Sequence, residues 1–195
     1  MKPMWKPAAL AVALTLAAAI ARAQISTGAT PVYHGTLKIV RPAVGTLDKS
    51  TGIGTLRVRG WRWKLKEGSN GIFPTREPLV VALGEDSFRL DAGSLTPSRN
   101  RKVFRYSAPH PGPRAFRSFR IARRAGGSYL VSFTLIGVDL SQLVMYNPVC
   151  ENLAVIVGDD DGFTGVALKT RPAFSPHVAI PHPCKPPAWP WLNQS

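Results

Sequence analysis

Downstream of the first 23 residues, apolar and polar side chains alternate with a period of two, in runs bounded by Gly, Pro, Asp and Ser. That is the pattern of half-buried β-strands. The clearest run, from Leu56 to Lys66, contains a shift of phase. Leu56 and Val58 share one parity, whereas Trp61, Trp63 and Leu65 have the other. A β-bulge at Gly60 supplies the extra residue that brings all five onto one core-facing side, and glycine is the usual marker of such a bulge. Arg57, Arg59, Arg62, Lys64 and Lys66 then face solvent. The run Phe133 to Leu140 repeats the device, with Phe133 and Leu135 before Gly137, and Val138 and Leu140 after it.

Other runs echo each other too. Leu79 to Phe88 (LVVALGEDSF) is matched by Leu153 to Phe163 (LAVIVGDDDGF), and Leu37 to Arg41 by Phe119 to Arg123. Three blocks in one order, offset by 82, 77 and 74 positions, predict an internal duplication of a four-strand unit. The units fall at about residues 35–95 and 115–170. No long segment keeps helical periodicity, and Arg114 to Arg120 is read as strand because its counterpart reads as strand. The expected fold is all-β: an antiparallel β-sandwich of the two units, each covering the other's apolar face, with an orthogonal barrel as the alternative.

The phrases Gly137-Val138-Asp139-Leu140, Asn147-Pro148-Val149 and Leu153 through Gly158-Asp159-Asp160 resemble a repeat of uncharacterised secreted bacterial proteins. In that repeat a Gly-x-Asp-Leu strand leads to an Asn-Pro-Val turn and then an apolar strand ending Gly-Asp-Asp. The resemblance covers roughly residues 35–170. It implies a β-sandwich-like architecture and carries no activity, ligand or catalytic residue. The first unit departs from it, with Glu77-Pro78-Leu79 in place of Asn147-Pro148-Val149.

The N-terminus reads as a signal peptide, residues 1–23. Lys2 and Lys6 precede an uncharged, mostly aliphatic run from Ala8 to Ala21, and Ala21-Arg22-Ala23 suits a signal peptidase. That run would extend about 21 Å as a helix, short of the roughly 30 Å of a bilayer core. Residues 24–195 are expected to form one exported domain, periplasmic or extracellular, with no transmembrane span after cleavage. Apolar residues make up 45% of the sequence and charged residues 18%, which excludes a disordered chain. The two cysteines, Cys150 and Cys184, are an even pair in an oxidising compartment, so a disulfide is expected. It would tie the tail, residues 171–195 with seven prolines, to the body.

Candidate chemistry is sparse. Asp159, Asp160 and Asp161 form the densest acidic group; a hairpin turn is expected there, with a calcium loop as the alternative because hard cations favour carboxylate oxygens. His182 and Cys184 share a face of an extended chain, but a disulfide at Cys184 removes the thiolate. No nucleophile elbow, Ser-x-x-Lys or His-Glu-x-x-His motif occurs. No cofactor and no resident metal are expected, and the protein is read as not an enzyme, with an unrecognised hydrolase as the third alternative. Trp61 and Trp63 are assigned to the core. Trp189 and Trp191 are candidate carbohydrate-binding residues, since flat aromatic faces can cover a sugar ring.

Charge changes the picture most. The 195 residues hold 25 Lys+Arg against 11 Asp+Glu, a net charge of +14. Arg99, Arg101, Lys102, Arg105, Arg114, Arg117, Arg120, Arg123 and Arg124 lie in one acid-free stretch, interleaved with Phe104, Tyr106, Phe116 and Phe119. Such a face attracts and steers polyanions. The functional expectation is a non-catalytic exported binding or structural module that contacts anionic glycan, lipopolysaccharide or another envelope component through this basic face. Phospholipid head groups or extracellular DNA are further candidates, and intracellular nucleic acid is not expected. A carbohydrate-binding module using Trp189 and Trp191 is the alternative.

Overall fold

The computed structural model describes residues 31–41, 43–145, 149–170 and 177–179. The chain is all-β. In order it forms β1 (Tyr33–Lys38), β2 (Val44–Leu47), β3 (Ile53–Lys64), β4 (Leu79–Leu83), β5 (Asp86–Leu90) and β6 (Thr96–Pro97). There follow β7 (Val103–Ser107), β8 (Ala115–Arg123), β9 (Ser128–Asp139), β10 (Val149–Val157), β11 (Asp160–Thr170) and β12 (His177–Ala179), with one helical turn, α1 (Gln142–Met145). No helix among the described residues is long and apolar enough to cross a membrane.

These strands make one sheet rather than the two facing sheets of a sandwich. Its order is β5-β4-β10-β11-β12-β2-β3-β9-β8-β7-β6, and β1 joins β11 to β3. The sheet curls into a half-barrel whose inner face is its own core. The two expected units are joined edge to edge, through β3–β9 and β4–β10 ladders, so neither needs the other's face as a cover. The sheet is mixed, not purely antiparallel, because β1 runs parallel to β11, with His34 opposite Asp161. Strands β6 and β7 lie between the expected units and were not anticipated as part of either.

Both expected bulges are present. β3 and β9 lose register between Val58 and Trp61, at Gly60, and again between Gly54 and Thr55, where Gly137 of β9 is the extra residue. Leu56, Val58, Trp61 and Trp63 consequently share the core, and both tryptophans are fully buried. Burying each ring contributes up to about 4–6 kcal/mol. Both indoles also satisfy their N–H groups: Trp61 Nε1 donates to the Arg41 carbonyl at 2.7 Å and Trp63 Nε1 to the Asp161 carbonyl at 3.0 Å. Phe88, Phe116, Phe119 and Phe133 continue the core as a chain of ring contacts 5.8–6.3 Å apart.

The ladders between the halves are reciprocal. Leu56 faces Leu135 and Val58 faces Phe133, Gly54 faces Val138 and Trp61 faces Val131. In the second ladder Val81 faces Val155 at the centre, flanked by Leu83–Leu153 and Leu79–Val157. The β4–β5 and β10–β11 hairpins have matching two-residue loops, Gly84-Glu85 and Gly158-Asp159, each opened by a glycine of positive φ. Glu77 packs its carboxylate on Gly158 and Glu151 packs its own on Gly84. Glu77-Pro78-Leu79 and Glu151-Asn152-Leu153 thus hold matching places relative to the two hairpin glycines. Phe119 lies opposite Phe133 on β9, and the position opposite Leu56 on β3 is held by Gly45 of β2.

Candidate functional site

On the outer side of β3, β9, β8 and β7 the sheet surface encloses a trough of about 730 Å³. Its position follows from strand order. β9 lies between β8 and β3, and β7 lies beyond β8. Bulges in β3 at Val58/Trp61 and in β8 at Phe116/Ser118 bend the two flanking strands beside it. Because Leu56, Val58, Trp61 and Trp63 point inward, Arg57, Arg59 and Arg62 must point outward, and they line one wall with Arg41. Arg41 is held beside Trp61 by the indole hydrogen bond to its carbonyl. The other wall carries Arg105 of β7, Arg120 of β8 and Arg124 just beyond. Arg105 and Arg120 are directly paired across the β7–β8 ladder.

Between the walls, β9 presents Leu130, Ser132 and Thr134, and β8 adds Ser118. Ser132 Oγ accepts the backbone N–H of Gly60 at 2.9 Å, which ties the floor to the bulge. No acidic residue lines the trough among the described residues. Among the described residues the ion pairs are His34–Asp161, Arg89–Asp91 and Arg114–Asp86, so none of the seven trough arginines is neutralised by a described carboxylate. Seven guanidinium groups around a hydroxyl-bearing floor attract anions and can hold carboxylate or phosphate groups by paired N–H···O bonds.

Only part of the basic stretch read from the sequence meets here. Arg105, Arg120 and Arg124 line the trough. Arg99, Arg101 and Lys102 are exposed on the β6–β7 turn, where Arg101 has φ 53°. Arg117 sits exposed at the β8 bulge and Arg123 at the end of β8. Arg114 is committed elsewhere: its guanidinium pairs with Asp86 and lies 5.6 Å from the centre of the Phe88 ring. Arg41, Arg57, Arg59 and Arg62 were missed as site residues. The available signal was the outward phase of β3, but nothing local to β3 shows that β9 and β8 lie beside it.

A hairpin turn lies at the acidic group, but it is shorter than the run of three carboxylates. Only Asp159 belongs to the loop; Asp160 and Asp161 open β11 and are fully buried. They point apart, as successive strand residues must. Asp160 accepts a hydrogen bond from Ser69 Oγ at 2.8 Å, while Asp161 bonds His34 Nδ1 at 3.0 Å. The three carboxylates thus do not converge on a calcium position, and no cluster of metal-binding side chains occurs among the described residues. Burial pushes the Asp160 and Asp161 carboxyls above the usual range, against the hydrogen bonds from Ser69 and His34. Burial also raises Glu77, helped by Asp159 and Asp160, and raises Glu151, helped by Glu85.

Cys150 lies in β10, half-buried. Cys184, His182, Trp189, Trp191 and residues 1–23 lie outside the described residues. Against protein-family models, curated proteins and solved structures, nothing matches the chain.

Proposed function

We propose that the protein is an exported, non-catalytic binding module that engages anionic polymers of the cell envelope through the arginine trough. The observation that carries this reading is the convergence of seven arginines from β1–β2, β3, β7 and β8 on one concavity with no acid among its described lining residues. Guanidinium groups stay protonated at any physiological pH, so the field is permanent. Among the described residues the lining offers no carboxylate or imidazole to move a proton, which favours binding over catalysis at this site.

Three further elements belong to the proposal. Residues 1–23 act as a cleaved signal peptide, Cys150 and Cys184 form a disulfide, and the two halves descend from one duplicated unit related to the secreted bacterial repeat. The reciprocal β3–β9 and β4–β10 registers, the matched hairpin loops and the Glu77/Glu151 contacts support the duplication.

Binding is measured with lipopolysaccharide, a polyuronate, DNA and a neutral polysaccharide, at low and near-physiological salt. We expect binding to the anions alone, weakening steeply with salt. Replacing Arg59 and Arg120 together by Gln should lower affinity at least tenfold. Salt-insensitive binding to the neutral polymer, or equal binding by the double variant, would overturn the reading.

A further inference from the structure

We propose that the trough holds one extended chain of an acidic polysaccharide, laid lengthwise over β9 with its carboxylates gripped from both sides. This rests on the anion-binding reading above and names its ligand class. The first argument is the spacing of charge. Arg57, Arg59 and Arg62 on β3 and Arg120 on β8 are separated by a single strand, β9, that brings no charge to the lining. With neighbouring strands about 4.8 Å apart, the walls stand roughly 10 Å from each other. From Arg57 to Arg62 the β3 wall runs about 16 Å. The result is a narrow valley with charge on both banks and none along its bed, suited to a single chain with acid groups on its sides.

The floor separates the ligand classes. Ser118, Ser132 and Thr134 offer hydroxyls and Leu130 a small apolar surface, which match the hydroxyls and C–H faces of sugar rings. Single-stranded nucleic acid is instead held by exposed aromatic faces on which bases stack. Here Phe119 and Phe133 are buried at 1% and 2% exposure and turned to the core, and Tyr106, half-buried against that core, is the single aromatic of the described lining that is partly exposed, too few for the stacking of successive bases. A DNA duplex, whose major groove alone is about 12 Å wide, is too broad to lie between walls roughly 10 Å apart. A flat lipid surface would touch the arginine rims and leave the floor unused. All seven cations are Arg rather than Lys, and the planar fork of Arg fits a carboxylate through two parallel hydrogen bonds.

The test titrates the full chain with galacturonate oligomers of increasing length, the neutral galactose oligomers, oligothymidylate of matched length, and duplex DNA. Galacturonate affinity should rise with length and level off once the oligomer spans about 16 Å. Arg59→Gln and Arg120→Gln should each weaken it about tenfold. Thr134→Val should weaken it about threefold without altering its salt dependence, whereas Arg99→Gln, outside the trough, should change nothing. These side chains lie at the surface or half-buried, and circular dichroism checks that each variant folds. If oligothymidylate or duplex DNA binds as well as galacturonate, or Thr134→Val has no effect, the polysaccharide assignment fails while the anion site stands. If no anion binds, or Arg99→Gln weakens binding as much as Arg59→Gln, the trough itself is not the site and both readings fall.

Discussion

Gly60 and Gly137 adopt nearly the same left-handed backbone, with φ 63° and 71°, and each supplies the extra residue of a bulge. Their surroundings differ. A Cβ on Gly60 would meet nothing within 4 Å, whereas one on Gly137 would collide with the Pro113 carbonyl oxygen. Gly60→Ala should therefore cost only the left-handed penalty of about 1–2 kcal/mol. Gly137→Ala should cost about 3–5 kcal/mol, because displaced backbone is added to the same penalty. Urea denaturation of both variants checks this, and equal losses would contradict it. Both bulges were legible in the sequence, because one extra strand residue reverses the apolar parity and glycine marks where it does so. What separates the two glycines was not legible, since Pro113 reaches Gly137 from the segment that leads into β8.

At the scale of elements, one open edge of the half-barrel, strand β5, is held against β8 and β9 by Asp86. Its Oδ2 accepts the backbone N–H of Asp139, at the end of β9, at 2.6 Å. The other oxygen pairs with Arg114, whose guanidinium covers Phe88, and Phe88 in turn meets Phe116 of β8. Edge strand β5 is thereby fastened to β8 and β9, to which it has no ladder. Asp86→Ala removes two charge-assisted contacts around a buried carboxylate and should cost about 2–4 kcal/mol. Arg114→Ala should cost less than about 1 kcal/mol, since its side chain is 54% exposed and solvent screens the pair. Thermal unfolding ranks the two, and the reverse order would refute the clamp. Sequence periodicity located most strands because alternation is local. It missed this closure, and it missed the parallel β1–β11 pair, because partner choice between strands so distant in sequence leaves no local trace. The trough was half legible for the same reason: outward arginines were readable strand by strand, but their convergence depends on β9 separating β3 from β8.

For the molecule as a whole, the buried carboxyls set how stability responds to pH. Glu77, Glu151, Asp160 and Asp161 are raised, chiefly by burial. The folded state therefore binds their protons at a pH where the unfolded chain has released them, and their contribution is lost as pH rises through that window. Asp48 and Asp139 have the opposite sign: hydrogen bonds from Ser50 and Ser141 lower them, and their contribution is lost on strong acidification. Stability should thus be greatest on the acid side of neutrality. Asp160→Asn isolates the effect from the general charge of +14. It should raise Tm by a few degrees near pH 7.5 and by less near pH 4.5, because the native carboxyl, held above the usual range by burial, takes up its proton as pH falls. A gain of equal size at both pH values would show that the carboxyl's charge is not the cause.

The parallel strand β1 has a consequence of timing. It is the first of the described strands to be made, yet it docks between β3 and the beginning of β11, whose Asp161 lies 127 residues beyond His34. Until β11 exists, β1 has only one of its two neighbours, and the chain must carry its leading strand half-paired through nearly all of synthesis. Completion then comes late and at once, because the segment that accepts β1 also pairs with β10 and, farther along, with β12. Nascent chains that stop short of residue 160 should accumulate as open, protease-sensitive intermediates, and the last long strand acts as the latch that commits the first.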